Sequence, residues 1–80
     1  MGSAKSLAAT ADKVIKEVET LLTDLEMLRD ELGMAIAESK VSKNEDKVRA
    51  LEALIAEIKR SHETLRRVYT QLSLVRMRYL

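Results

Sequence analysis

Ser39-Lys40-Val41-Ser42-Lys43-Asn44-Glu45-Asp46 decides the fold, because it is the only cluster of polar cap formers in the interior of this 80-residue chain. Ser42 followed three residues later by Glu45 has the spacing of a capping box, and Asp46 adds negative charge to the first turn of a new helix. Read this way, the chain turns back on itself. A single unbroken helix of about 75 residues is the competing architecture, since a cap signature can also sit on a helix surface. The turn is expected at residues 41–44, between a first helix over 6–40 and a second over 45–80, with residues 1–5 a disordered start or tag remnant.

Outward from the turn, both halves carry heptads. Leu7, Ala11, Val14, Val18, Leu21, Leu25, Leu28, Leu32 and Ala35 alternate in steps of four and three, which is a coiled-coil seam with Leu7 at d and Ala11 at a. A third apolar column follows at e, with Ala8, Ile15, Leu22 and Ile36, while g is polar or acidic with Thr10, Glu17, Asp24, Glu31 and Glu38. The second half repeats the seam through Val48, Leu51, Ile55, Ile58, His62, Leu65, Tyr69, Leu72, Arg76 and Tyr79. Its extra apolar column is g, with Leu54, Val68 and Val75 interrupted by Lys47 and Ser61. Gly33 either ends the first helix after Leu32 or sits inside it at about 1 kcal/mol. Because Ala35 and Ile36 keep the phase, a continuous helix to about Lys40 is expected.

Composition supports helices. Phe, Trp, Pro and Cys are absent, glycine occurs only at Gly2 and Gly33, and no Asn-Gly or Asp-Gly step punctuates a β-hairpin. Without cysteine there is neither a disulfide nor a thiolate metal site to reinforce so small a core. The 14 basic and 13 acidic side chains nearly balance, which gives the whole molecule no strong pull toward nucleic acid or anionic lipid. The halves differ, however: residues 1–40 carry five bases and eight acids, and residues 41–80 nine and five, so the two helices attract each other. No run of about 18 apolar residues spans a membrane, and the start Met1-Gly2-Ser3-Ala4-Lys5-Ser6 has no apolar signal core, so a cytoplasmic protein is the default expectation.

In an antiparallel pair, a residues face d residues. Leu32 opposite Leu51 satisfies this throughout and centres the turn between Val41 and Ser42. Val14 then meets Tyr69 and Leu21 meets His62, with Glu19 near Arg66, Glu26 near Lys59, and Arg29 near Glu52. Such a hairpin leaves the third columns uncovered. A helix with three apolar positions in seven contacts more than one neighbour, and burying each such side chain is worth about 1.5–3 kcal/mol. The expected architecture is therefore an all-α antiparallel two-helix hairpin that dimerises into a four-helix bundle. The expected interaction surface is Ile15, Leu22, Ile36, Leu54, Val68 and Val75, joined by a carboxyl-terminal group of Tyr69, Leu72, Leu74, Met77, Tyr79 and Leu80.

Chemistry is sparse. His62 is the only histidine and falls at a core position, and Lys59 stands where a Glu-x-x-His metal motif needs its acid. Ser61-His62-Glu63-Thr64-Leu65-Arg66 resembles the phosphoacceptor box of histidine-kinase dimerisation domains, themselves hairpins that dimerise into four-helix bundles. In that family the histidine faces solvent, usually from the first helix, with a proline a few residues on. Here it lies on the second helix, no proline exists, and the seam turns it inward. Lys59, Arg60, Arg66, Arg67, Arg76 and Arg78 form a basic stretch without interleaved aromatics for base stacking. Met27 and Met34 read as scattered surface methionines. No catalytic residue, cofactor or metal site is expected. The reading is a non-enzymatic self-associating interaction module whose partner is a second copy or another helical protein, rather than nucleic acid or a membrane surface. A designed or engineered helical scaffold is the alternative, and a phosphotransfer or nucleic-acid-binding hairpin the third.

Overall fold

The structure, a computed structural model, describes residues 2–80, and their side chains from Lys5 onward. Helix α1 spans Gly2–Val41 and helix α2 spans Glu45–Tyr79, packed along each other in a rod 62 Å long. That length matches 40 residues at about 1.5 Å each. Residues 2–5, expected to be disordered, continue α1, since Ala4 and Lys5 are good helix formers and no breaker separates them from the heptads; Met1 lies outside the described residues. Gly33 is helical, so α1 passes through it without a break.

The turn forms between Val41 and Glu45, but by other residues than the capping box suggests. Lys43 adopts a left-handed backbone with φ 59°. Its N–H donates to the Lys40 carbonyl at 3.1 Å, and the Asn44 N–H donates to the Ser39 carbonyl at 2.9 Å, the paired bonds of a Schellman terminus. Asn44, not Ser42, then caps α2: its side-chain oxygen accepts from the Lys47 N–H at 3.2 Å. Ser42 instead donates its hydroxyl to the Ser39 carbonyl, so one helix is closed and the next opened within three residues. Ser39, buried beneath this turn, is satisfied through a 2.8 Å bond to the Ala35 carbonyl.

This closure resets the register. The cross-helix pairs are Asp12 with Arg76, Glu19 with Tyr69 and Glu26 with His62, spaced one heptad apart along each helix. They replace the expected approaches of Glu19 to Arg66 and Glu26 to Lys59. The layers they imply set Leu32 against Ile55 and Leu25 against His62, and centre the hairpin between Lys43 and Asn44, beyond the Val41–Ser42 point expected from sequence. The seam of α1 rotates with this shift. Ala11, Ile15, Val18 and Leu32 are its buried apolar residues, with Ala8, Leu22, Leu25 and Ile36 half-buried. Leu7, Leu21 and Leu28, expected inside, are exposed at 57%, 44% and 41%. On α2 the seam follows the expected residues as far as Leu72: Ile58 is buried, and Val48, Leu51, Ile55, His62, Leu65, Tyr69 and Leu72 are half-buried, whereas Arg76 and Tyr79, also expected in it, are exposed because α2 is ending there.

Candidate interaction surface

The hairpin has two unlike flanks. On α1, Asp12, Glu19 and Glu26 each follow a seam residue, and on α2 Lys59, Arg66 and Ser73 do the same. Reversing one helix reverses both its direction and the sense in which its columns wind, so columns with the same sequence relation to the seam share a flank. This flank is closed by polar contacts. Tyr69 Oη donates to Glu19 Oε1 at 2.9 Å, His62 Nε2 donates to Glu26 Oε1 at 3.1 Å, and Arg76 pairs with Asp12. Hydrogen bonding to Glu19, and then its negative charge, raises the Tyr69 phenol above its ordinary pKa, because removing the proton would leave two anions in contact.

The opposite flank is apolar and open. Leu7, Val14, Leu21 and Leu28 each precede a seam residue of α1, as Leu54, Val68 and Val75 precede Ile55, Tyr69 and Arg76 on α2. All but half-buried Val14 are exposed, and no polar pair crosses between the helices on this side among the described residues. Neighbouring columns carry ordinary helix-surface pairs such as Lys13 with Glu17 and Arg67 with Glu63.

The residues of the expected surface are placed differently on the two helices. Ile15, Leu22 and Ile36 do not face outward: Ile15 is 7% exposed, and all three belong to the contact with α2. Their place on the open side is taken by Leu7, Leu21 and Leu28. Leu54, Val68 and Val75 point outward at 40–45% exposure. Tyr69 and Leu72 lie half-buried in the seam, whereas Leu74, Met77, Tyr79 and Leu80 are exposed around the end of α2 beside the start of α1. His62 sits in the seam with its side chain 20% exposed and its Nε2 engaged by Glu26. Met27 and Met34 are exposed.

Among the described residues, no three His, Cys, Asp or Glu side chains gather where they could hold a metal, and no helix is long and apolar enough to cross a membrane. The hollows on the rod are open grooves, such as that along α2 beside His62, Arg66 and Thr70. No protein-family model, curated protein or solved structure matches the chain.

Proposed function

We propose that this chain is a non-enzymatic self-association module, in which the open flank of the hairpin is covered by the same flank of a second copy to make a four-helix bundle. The run of exposed leucines and valines along one flank of both helices carries this reading. Scattered surface leucines need no explanation, but a band on both helices, all on the flank without polar closure, does. The hairpin's own core is thin, with Ala11, Ile15, Val18, Leu32 and Ile58 its buried apolar side chains. A chain this small is marginal on such a core, and burial of the second band supplies what is missing.

A second copy fits the size of the face. An identical rod 62 Å long covers the band from end to end. Two-fold symmetry also matches like surface to like, so an apolar band is automatically complementary to its copy.

Sedimentation or light scattering across a dilution series tests the proposal. The mass expected at about 100 µM, far above a micromolar dissociation constant, is twice the 9.0 kDa of one chain. Leu21→Glu with Val68→Glu should return a monomer. Wild-type chain that is monomeric at that concentration with full helicity would overturn it; a mass that doubles only in the presence of another helical protein would point to a heteromeric partner instead.

A further inference from the structure

Two-fold symmetry allows two ways to stack the open flank on a copy. An axis along the rod brings both turns to one end and lays α1 over the partner's α2. An axis across the rod sends the turns to opposite ends and lays α1 over the partner's α1. The apolar columns accept either arrangement: Leu21 would meet the partner's Val68 in the first and the partner's Leu28 in the second.

Charge separates them. On the outer edge of the open flank, α1 carries Glu17, Asp24, Glu31 and Glu38, one per heptad and all exposed. The matching edge of α2 carries Ala50, Glu57, Thr64, Gln71 and Arg78, which has no net charge, and its Glu57 is already paired with Arg60. Stacking α1 on the partner's α1 would bring two acidic edges together along the whole contact, and like charges at an interface suppress that mode of association. Stacking it on the partner's α2 sets the acidic edge beside alanine, threonine and glutamine, and the partner's Glu57, already paired with Arg60, is the one like charge it meets. At the heights fixed by the hairpin's own layers, Leu28 falls over the partner's Ser61 and Ala35 over the partner's Leu54, so two of the four layers set a large side chain on a small one, while Leu21 and Val14 meet the partner's Val68 and Val75.

We infer that the second copy docks with its turn at the same end, α1 over the partner's α2, giving a bundle with both turns at one pole and both α2 carboxyl ends at the other. This rests on the self-association reading above and fixes the partner's orientation within it. The chain has no cysteine, so a single introduced cysteine carries a spin label at one place. Val41 and Met77 are 84% and 78% exposed near opposite poles, which makes Val41→Cys and Met77→Cys suitable label sites. Dipolar distances in the full-length dimer should be short for each variant alone, under about 30 Å for helices spaced roughly 10 Å apart. A mixture of the two labelled variants adds a distance of roughly 45–50 Å, because Met77 lies level with the start of α1, about 31 residues from Val41 at about 1.5 Å each. Long distances in each variant alone, with a short one only in the mixture, would overturn the orientation while leaving self-association standing. A monomeric mass by light scattering on the same samples would overturn both.

Discussion

Replacing Gly33 with alanine should stabilise the hairpin by about 1 kcal/mol. α1 runs through Gly33 without a break, one residue past the buried Leu32, and a Cβ built there meets nothing within 4 Å. The usual objection to filling a glycine, steric conflict, is therefore absent. What remains is the interior helix preference for alanine over glycine, roughly 0.8–1.0 kcal/mol, which arises largely from the greater freedom glycine gives the unfolded chain. For a domain of this size, 1 kcal/mol raises Tm by about 4–8 °C. The assay is urea unfolding followed by far-ultraviolet circular dichroism, with both proteins at one chain concentration because association shifts midpoints by mass action. The expected result is a higher midpoint with an unchanged slope. Gly33 follows a seam residue and so lies on the polar flank, away from the face assigned to the second copy. An unchanged or lower midpoint would refute the continuous helix, because alanine is penalised if Gly33 instead terminates α1 in a left-handed conformation.

The turn should respond in opposite directions at adjacent residues: Lys43→Gly relieves the left-handed φ of 59° and gains about 1 kcal/mol, whereas Asn44→Ala loses the cap to Lys47 and costs about 1 kcal/mol. Urea midpoints of the two variants check both signs. Ile15→Ala, at a buried seam position, should cost about 2–5 kcal/mol of stability, while Leu21→Ala on the open flank should act mainly by raising the dilution at which the dimer dissociates. Equal effects of the two on both readouts would contradict the observed rotation of α1. Because the folded state holds Tyr69 above its ordinary pKa, its contribution is complete below the unfolded pKa and is lost as pH rises through the folded one. Between neutral pH and about pH 11, wild-type chain should lose more stability than Tyr69→Phe, and parallel losses would show that the Glu19 contact is not coupled to folding.

Much of the fold was legible because its determinants are local. Heptads, the absence of strand punctuation and a polar break at residues 39–46 lead to two antiparallel helices, and the second helix presents the expected columns. The first helix was ambiguous for a physical reason. It carries three adjacent apolar columns, and hydrophobicity alone cannot say whether Leu7, Leu21 and Leu28 or Ile15, Leu22 and Ile36 join Val18 and Leu32 in the seam. One signal could have decided it: Asn44 is the stronger cap when Lys43 takes a left-handed turn. That signal depends on a backbone conformation unusual for lysine, which residue preference argues against.

Both stripes repeat every seven residues, so the helices could slide along one another by about a turn and still lay leucine on leucine, with Leu32 against Leu51. The brevity of the link acts with the three polar pairs of the closed flank to hold them where they are, since a Schellman closure leading straight into an asparagine cap leaves no slack. Lengthening that link with flexible residues would free the rods to slip between two neighbouring alignments, and the resulting population would be mixed although every side chain in the stripes was untouched. Uniqueness in this molecule thus rests on a few hydrogen bonds, those around Lys43 and those of the closed flank, while cohesion is spread along its whole length.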